Sequence, residues 1–430
     1  MIKKIKEKLS NNDEIRKVVN NSGWLIFDKL CRLGLNLIVT AWVARYLGPS
    51  QFGDLAYVLA FLAFFQAVSI LGLDNIVVRE IAKNIKVSGS VIATVFILRL
   101  SIGIISYLIS VVLMGVINGF DGKLIAITTI CALNLIFQAA DTIDLWFQSQ
   151  SESKRTVVVR LVTYLFTNGL KVFLILNNFS ILYFAAVTAL EAGLCAIGLI
   201  YSYRKYPATK FKFQFSVAKE LLKESWPYIF SSLSVMVYMR IDQLMIKSFL
   251  GTKELGVYAA ILPLAMTWTF VVTTLTTSLA PYIARKKNTS EKQYWLALKN
   301  TFRLYALLGW VTCIGVYALA PIVVPILFGD SYSSGIGVLQ VLVFVNIFIN
   351  MGVAQSLWIL NEGKSKLAMY RTIFGAIVCV ISNILLIPSF GIYGAACSAL
   401  LAQFCSTMLS NVFISRKILK IQIKSLFLLK

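Results

Sequence analysis

The residues of this chain that could bind a charged ligand lie within long apolar stretches. The deepest cations are Lys29, Arg32, Arg99 and Arg240, each roughly 10–15 Å from the nearer end of its stretch at about 1.5 Å per residue. A charge at the centre of a bilayer costs about 2.5–3.5 kcal/mol on insertion scales, so such side chains face the protein interior or an aqueous cavity. We therefore predict that these four cations line a cavity and bind an anionic substrate.

Other polar side chains in the same stretches are candidates for the remaining wall of this cavity. Asn36, Gln138 and Tyr238 are uncharged, and Asn36 fits either a substrate contact or an interhelical hydrogen bond. The embedded carboxylates are expected to pair with cations or, alternatively, to bind protons or ions that couple transport to a gradient. These carboxylates are Asp28, Asp141, Asp144, Glu191 and Asp242.

Spacing along a helix limits which of these charges can pair. Asp28 and Arg32 are one helical turn apart, so they share a face and can form an ion pair. Arg240 and Asp242 point about 200° apart, so one of them is expected to brace the helix bundle. Six further cations lie within about two turns of a predicted span end, where long side chains reach the interface. These six are Arg45, Arg160, Lys247, Lys299, Arg303 and Arg371.

The apolar stretches themselves are long enough to cross a membrane. Of the 430 residues, 58% are hydrophobic and only 14% are charged, which fits no soluble globular class. About 20 apolar residues cross the hydrocarbon core as a helix, whereas a membrane barrel shows shorter alternating segments. We predict an all-α integral membrane protein with about twelve transmembrane helices. The predicted spans are 22–47, 53–75, 90–117, 123–148, 157–176, 181–203, 226–249, 256–284, 296–320, 337–360, 367–387 and 393–415.

The formal net charge of +22 is concentrated on one side of the predicted membrane. Of 41 Lys and Arg residues, 28 fall in the termini and alternate loops, and only Lys123 and Lys253 fall in the opposite loops. This asymmetry is the positive-inside pattern, and it predicts that both termini are cytoplasmic. Topology therefore explains the basic excess, and no nucleic-acid partner is expected.

An internal repeat divides the chain into two halves. The turn YLGPSQFG at 46–53 has a near copy, FLGTKELG, at 249–256. Each half holds six predicted spans, an even number, so both halves enter the membrane from the same side and form parallel lobes with substrate between them. We predict an N-terminal lobe at 1–203, a basic cytoplasmic linker at 204–225, and a C-terminal lobe with a cytoplasmic tail at 226–430.

Several kinds of site chemistry are missing from the sequence. It has no histidine, which removes His-based acid–base catalysis and His metal ligands. Its seven cysteines lie in apolar spans without C-x-x-C spacing, so no disulfide framework or zinc site is expected. We predict no cofactor, no metal and no enzymatic activity, with a proton or sodium gradient as the energy source that the embedded carboxylates suit.

Two segments in the first quarter of the chain carry a family resemblance: GWLIFDKLCRLGLNLIVTAWVARYLGPSQFGDLAYVLA at 23–60 and ILGLDNIVVREIAKN at 70–84. They resemble the start of the polysaccharide flippases, the Wzx-type O-antigen transporters of the multidrug/oligosaccharidyl-lipid/polysaccharide exporter superfamily. The resemblance implies that an undecaprenyl-diphosphate-linked oligosaccharide moves from the cytoplasmic to the outer leaflet by alternating access. Arginine forks suit such a diphosphate, and the predicted polar residues then suit its sugar chain.

The same resemblance implies a biological setting and leaves one alternative. It places the protein in the bacterial cytoplasmic (inner) membrane, in assembly of O-antigen, capsule or a related surface polysaccharide, with a polysaccharide polymerase and glycosyltransferases as partners. The lipid II flippases of the superfamily typically have two more C-terminal helices than are predicted here. The alternative is a cation-coupled multidrug exporter of the same superfamily, which favours acidic cavities, whereas embedded cations outnumber embedded carboxylates in this chain.

Overall fold

A computed structural model describes residues 13–204, 206 and 211–427, with side chains from Arg32 onward except those of Lys86 and Ser365. The described chain consists of helices joined by short turns and contains no strand. Large apolar side chains such as Val112 and Ile322 are exposed along these helices, as expected of a surface that contacts lipid. The predicted all-α membrane fold is confirmed.

The first half of the chain forms seven of the described helices. A 3₁₀ turn, Gln138–Ala140, lies between the fourth and the fifth of them. The fourth begins where it does because the Asp121 carboxylate accepts hydrogen bonds from the main-chain N–H groups of Lys123 (2.9 Å) and Leu124 (3.4 Å). The seven are α1 (Asp13–Ser69), α2 (Asp74–Lys83), α3 (Ser88–Ile117), α4 (Gly122–Phe137), α5 (Asp141–Ser149), α6 (Lys154–Leu176) and α7 (Ile181–Tyr203).

The second half of the described chain forms ten α-helices, a 3₁₀ turn at Asp330–Tyr332 and a π-helical turn at Cys405–Leu409. The last helix begins at a side-chain cap, because the Ser415 hydroxyl accepts a hydrogen bond from the N–H of Ile418. The ten are α8 (Phe215–Leu250), α9 (Thr252–Met266), α10 (Thr269–Thr289), α11 (Glu291–Phe328), α12 (Gly335–Leu342), α13 (Val345–Asn361), α14 (Ser365–Phe390), α15 (Ile392–Phe404), α16 (Asn411–Ile414) and α17 (Arg416–Leu426).

Eleven segments of the described chain are long and apolar enough to cross a membrane. Ten of them correspond one to one with predicted spans, and the first, Arg32–Lys83, contains span 2 and the part of span 1 from Arg32 onward. The two predicted spans share a segment because their helices meet directly at a kink at Gly48, where the backbone has a positive φ of 71°. The chain is therefore a multi-pass membrane protein.

Contacts between residues divide the chain into two compact units. The N-terminal unit contains the described residues up to Val39 together with Phe61–Leu233, and the C-terminal unit contains Thr40–Ala60 together with the described residues from Ser234 onward. The middle of α1 thus packs with the second half of the chain. The lobe boundaries at 203 and 226 rest on the internal repeat and remain a prediction.

Within the C-terminal unit, the two copies of the repeated turn lie against each other. A Cβ atom on Gly53 would lie 1.8 Å from the carbonyl oxygen of Thr252, and a Cβ atom on Gly256 would lie 1.8 Å from that of Pro49. These distances are far below any van der Waals contact, so the last glycine of each copy is required by the backbone of the other. The repeated sequence therefore builds a reciprocal glycine contact as well as two matching hairpins.

A hydrogen bond next to this contact fixes the same part of α1. The hydroxyl of Tyr332, which is fully buried, donates to the main-chain oxygen of Ala44 at 2.6 Å. Gly251 has a φ of 94°, so it breaks the chain before α9 as Gly48 breaks α1. The positions predicted to end the first helix of each half are confirmed as helix breaks.

In the N-terminal unit, α5 is held by an aromatic cluster. Trp146 and Phe147 are buried, and the Trp146 ring lies 5.2 Å from that of Tyr203 on α7 in an edge-to-face arrangement. Such aromatic pairs add about 0.5–1.5 kcal/mol beyond the area they bury. This packing fixes the short helix on which two of the predicted carboxylates, Asp141 and Asp144, are carried.

Candidate functional site

The N-terminal unit contains a partly open polar cavity of about 360 Å³ among α1, α4, α5, α6 and α7. Four residues predicted from the sequence meet on its wall: Arg32, Gln138, Asp141 and Glu191. The remaining wall is contributed mainly by small and apolar side chains. The polar wall residues are Arg32, Asn134, Gln138, Asp141, Arg160, Thr188 and Glu191.

The 3₁₀ turn between α4 and α5 brings two of these residues to the wall. Such a turn within a long helical segment tightens the backbone locally and often marks a functional position. Gln138 lies in the turn and Asp141 directly follows it, so both side chains reach the cavity. The Oε1 atom of Gln138 is buried and accepts no hydrogen bond from any residue that the structure describes, which leaves an acceptor for a ligand hydroxyl.

Arg160 on α6 binds two carboxylates of α5 at once. Its Nη2 atom lies 2.8 Å from Asp141 Oδ1 and 3.1 Å from Asp144 Oδ2. Asp144 is buried, and its Oδ2 atom also accepts a hydrogen bond from Gln148 Nε2 at 2.9 Å. An embedded carboxylate is stable when it is paired and hydrogen-bonded, so Arg160 stabilises both carboxylates of α5 and ties this helix to α6.

A second ion pair lies on the opposite helix of the cavity. Glu191 Oε2 on α7 accepts a hydrogen bond from the Thr167 hydroxyl at 3.2 Å and lies 3.8 Å from Lys171 Nζ. This distance is at the long end for an ion pair, so the two charges attract without an ideal hydrogen bond between them. Glu191 is thus the carboxylate of the cavity wall with the looser cationic partner.

Arg32 is held by an aromatic side chain of α6. Its guanidinium lies 5.0 Å from the ring centroid of Tyr164, and the Tyr164 hydroxyl donates to the main-chain oxygen of Arg32 at 3.2 Å. A cation over an aromatic face gains about 0.5–2 kcal/mol while its N–H groups at the edge stay directed away from the ring. Tyr164 therefore helps to hold Arg32 at the cavity wall.

Charges around this cavity balance. The cations are Arg32, Arg160 and Lys171, and the carboxylates are Asp141, Asp144 and Glu191. Five of the six are joined in the two ion-paired groups described above, and Arg32 is stacked on Tyr164. A ligand that approaches this wall therefore meets both cations and carboxylates, and Arg32 and Arg160 are the arginines that line it.

Arg99 occupies a different position from the cavity. It is buried, and its Nη2 atom donates to the Asp74 carboxylate and, at 3.2 Å, to the main-chain oxygen of Ile70. Ile70 and Asp74 lie at the break between α1 and α2, where main-chain oxygens lack helical partners. Arg99 thus braces this break and is not among the residues of the cavity wall.

The other predicted site residues with described side chains are not among the residues of this cavity wall. Arg240 is exposed on α8, whereas Asp242 is buried and accepts a hydrogen bond from the Tyr258 hydroxyl at 2.6 Å. Tyr238 lies beside Gly375 of α14. Asn36 is exposed on α1. The side chains of Asp28 and Lys29 lie outside the described part of the structure.

Two arginines predicted to lie near a span end also have partners within one unit. Arg160 lines the cavity, and Arg371 of α14 is partly buried, with Nη1 donating to Gln355 Oε1 at 2.9 Å. Their position near a membrane interface stays a prediction, and Arg160 lies within about two turns of the start of α6 at Lys154. Two carboxylates on the preceding helix were the available signal that Arg160 is paired inside the unit.

Residues 42–337 match the sequence family described as "Polysaccharide biosynthesis protein". The chain belongs to this family. The match includes both copies of the repeated turn and every residue of the cavity wall except Arg32. Membership confirms the resemblance to polysaccharide flippases of the exporter superfamily that was drawn from the first quarter of the sequence.

Two curated relatives of this polysaccharide biosynthesis protein carry transporter names. It is 24% identical over 388 residues to "Probable low-salt glycan biosynthesis flippase Agl15" of Haloferax volcanii, which covers 89% of this chain and 80% of the relative. It is 24% identical over 263 residues to a "Putative O-antigen transporter" of Shigella dysenteriae, which covers 60% of this chain and 65% of that protein. Neither name describes an enzyme.

A solved structure shows the same fold at low sequence identity. It is the inward-facing conformation of a multidrug resistance transporter of the MATE family, in the MOP superfamily. The TM-score is 0.75 at 14% identity, with 92% of this chain and 96% of the other covered. The fold is therefore that of a transporter superfamily that includes drug exporters, and the substrate class must be argued from the family and the site.

Proposed function

We propose that this protein is a flippase that moves a lipid-linked oligosaccharide across the membrane, with undecaprenyl diphosphate as the lipid carrier. The observation that carries the proposal is the family match over residues 42–337, which is supported by relatives named as a glycan flippase and an O-antigen transporter. The repeat units serve assembly of O-antigen, capsule or a related surface polysaccharide. The protein acts as a transporter and not as an enzyme.

The cavity of the N-terminal unit supplies contacts that this substrate needs. Arg32 presents a donor fork to the diphosphate, since arginine can bind phosphate oxygens through two parallel hydrogen bonds. The amides of Asn134 and Gln138 meet sugar hydroxyls, which both donate and accept hydrogen bonds. A volume of about 360 Å³ accommodates the diphosphate with part of the sugar chain, and the lipid tail remains in the apolar surroundings.

The remaining predicted residues take secondary roles in this proposal. Lys29, which is close to Arg32 in the sequence, adds positive charge near the diphosphate. Arg240 and Tyr238 contribute from the C-terminal unit when the substrate moves during alternating access, and Asn36 extends the polar face of α1. Arg99 supports transport by holding the α1–α2 break.

The paired carboxylates suggest how movement is driven. Proton or sodium binding at Glu191 loosens its attraction to Lys171, and proton uptake by Asp141 weakens one of the two contacts of Arg160. Either event changes the net charge of the cavity wall while its residues stay in the membrane. We propose that an ion gradient acts through Glu191 and Asp141. In this proposal Asp144 is a structural partner of Arg160, and Asp28 is a structural partner of Arg32. Asp242 is a separate carboxylate in the C-terminal unit.

Charge distribution supports the membrane orientation. The bias of 28 cations against 2 between alternate loops supports cytoplasmic termini, and we propose that the protein lies in the cytoplasmic membrane of a bacterial cell. The cytoplasmic side then receives finished repeat units from glycosyltransferases, and the outer side delivers them to a polysaccharide polymerase. These enzymes are the proposed partners.

A cation-coupled multidrug exporter is the second candidate function. Asp141 and Glu191 line the same cavity as Arg32, so the wall also offers carboxylates to a cationic drug. The flippase remains the better candidate because the family match and the relatives named as flippase and O-antigen transporter favour it, and because both carboxylates already have cationic partners.

Deletion of the gene in its source organism distinguishes these functions. We expect lipid-linked repeat units to accumulate on the cytoplasmic leaflet and surface glycan to fall, with unchanged resistance to cationic drugs. Complementation with the wild-type gene should restore surface glycan. Normal surface glycan in a strain without a second flippase, or drug sensitivity as the sole defect, would overturn the proposal.

A further inference from the structure

The final helix, α17, has three faces of different chemistry. Its buried face carries Ile418, Gln422 and Ser425, and a second apolar face carries Leu419, Ile423 and Leu426. The third face is basic and exposed, with no acidic residue on the helix. Its members are Arg416, Lys417, Lys420 and Lys424. A short helix with such a pattern is typical of segments that lie in the plane of a membrane interface.

The second apolar face of α17 forms one wall of a cavity of about 650 Å³ within the C-terminal unit. The opposite walls come from α11, α13, α15 and the π-helical turn, and include Trp310, Phe348, Phe404 and Met408. Every side chain of the lining is apolar or aromatic, and the indole N–H of Trp310 is already bonded to the main-chain oxygen of Leu426 at 3.0 Å. The cavity therefore suits a hydrocarbon chain and offers nothing to a polar ligand.

α17 is fixed over this cavity along its whole length. Near its start, Lys417 Nζ lies 3.4 Å from the Trp295 ring centroid, and at its end Leu426 accepts the Trp310 hydrogen bond. In the middle, the buried Gln422 accepts from Asn411 Nδ2 at 2.9 Å and donates to the Thr407 main-chain oxygen at 3.0 Å. These contacts make the cavity a built feature of the unit.

Two exposed cations of α17 lie next to its cavity-lining face around the helix. At about 100° per residue, Arg416 and Lys420 are only about 20° and 60° around the helix from the cavity-lining Ile423. Lys417 is engaged with Trp295 and points further away. An amphiphile with a hydrocarbon chain in the cavity would thus hold its headgroup against Arg416 and Lys420.

We propose that this cavity binds a membrane phospholipid with an anionic headgroup. One acyl chain enters between α17 and the π-helical turn, and the phosphate-bearing headgroup contacts Arg416 and Lys420. Charge complementarity selects an anionic headgroup over a zwitterionic one, since cations near a membrane surface are attracted to anionic lipid. The site is separate from the polar cavity of the N-terminal unit and does not depend on the transported substrate.

Lipid binding by the purified full-length protein tests this proposal. Native mass spectrometry should show tighter binding of dioleoyl phosphatidylglycerol than of dioleoyl phosphatidylcholine. The double variant Arg416→Gln with Lys420→Gln should weaken phosphatidylglycerol binding roughly tenfold or more and remove the headgroup preference. The variant Ile423→Trp fills the cavity at a partly exposed position and should weaken binding of both lipids. Phosphatidylglycerol with brominated acyl chains should quench the fluorescence of Trp310, which lines the cavity. The quenching should therefore be smaller in Trp310→Phe.

A matched control removes the same charge from another exposed surface. Lys219 and Lys223 are exposed on α8, and their double replacement by Gln should leave both affinities unchanged. Equal binding of the two lipids to the wild type would overturn the proposal, as would equal effects of the two double variants. A competition experiment compares the concentrations at which polyprenyl phosphate and unlabelled phosphatidylglycerol displace bound phosphatidylglycerol. Displacement at a lower concentration of polyprenyl phosphate would assign the cavity to the carrier lipid and would overturn the phospholipid proposal.

Discussion

Replacement of Arg160 by glutamine is expected to lower the free energy of unfolding by about 3 kcal/mol. The change leaves the buried Asp144 without its cation and also frees Asp141, and breaking a buried ion pair by removing one partner costs about 3–5 kcal/mol. The lower end of that range applies because the Arg160 side chain is 33% exposed to the cavity. The effect should come from the carboxylates, so adding Asp141→Asn and Asp144→Asn should restore much of the lost stability.

Equilibrium unfolding of the purified protein in mixed micelles measures this effect. Arg155 provides the matched control, since it pairs with Glu152 at 3.2 Å while both side chains are close to half exposed. An exposed pair of this kind contributes about 0–1 kcal/mol, so Arg155→Gln should change stability little. If Arg160→Gln were no more destabilising than Arg155→Gln, Arg160 would not be the cation that holds α5.

Replacement of Gly53 by alanine is expected to destabilise the C-terminal unit by about 1–3 kcal/mol, and replacement by leucine by more. The new Cβ atom would lie 1.8 Å from the carbonyl oxygen of Thr252, so the backbone of α9 or of α1 must shift. Gly256→Ala should have a similar effect, because its Cβ atom would lie 1.8 Å from the carbonyl oxygen of Pro49. The reciprocal geometry predicts that the two single changes are not additive.

Gly315 offers a control of opposite sign in the same unit. It lies within α11, and a Cβ atom there would meet no atom within 4 Å. Alanine favours a helix over glycine by about 1 kcal/mol, so Gly315→Ala should be neutral or stabilising. The same unfolding measurement applies to all three variants. Equal stability of Gly53→Ala and Gly315→Ala would show that the two turns do not press against each other.

Much of the fold could be predicted because membrane helices are encoded by composition. Apolar runs of about 20 residues locate the spans without tertiary information, and the breaks at Gly48 and Gly251 follow from glycine's access to positive φ. The sequence could not show that 40–60 packs with the second half of the chain, since that depends on backbone contact between distant turns. The repeat marked Gly53 and Gly256 as equivalent positions but gave no signal that they meet.

The candidate site was only partly predictable, because depth along a span does not reveal which side chains pair. Arg32, Gln138, Asp141 and Glu191 meet on one wall as charge and depth indicated. Arg99 lies as deep in its predicted span as Arg32 does. Its guanidinium nevertheless donates to the Asp74 carboxylate and to the main-chain oxygen of Ile70 at the break between α1 and α2.

A comparison of the two units shows an asymmetry that sequence position alone conceals. Arg160 reaches Asp144, and Arg371 reaches Gln355, in each case 16 positions earlier across a helical hairpin. The partner is a carboxylate in the N-terminal unit and an amide in the C-terminal unit. An amide satisfies hydrogen-bond donors without cancelling charge. The described ion pairs of Arg160 therefore have no counterpart at Arg371, and the two units differ in charge at similar positions of the repeat.

The most direct test of the flippase proposal is transport in proteoliposomes that contain the purified protein and a fluorescent lipid-linked oligosaccharide. A membrane-impermeant quencher reports which leaflet holds the substrate over time. We predict that the wild type moves the substrate faster than protein-free liposomes do, and that Arg32→Gln slows movement roughly tenfold or more through loss of a charge-assisted hydrogen bond, while Arg155→Gln does not. Movement no faster than in protein-free liposomes would contradict the proposed function, and full activity of Arg32→Gln would contradict the proposed site.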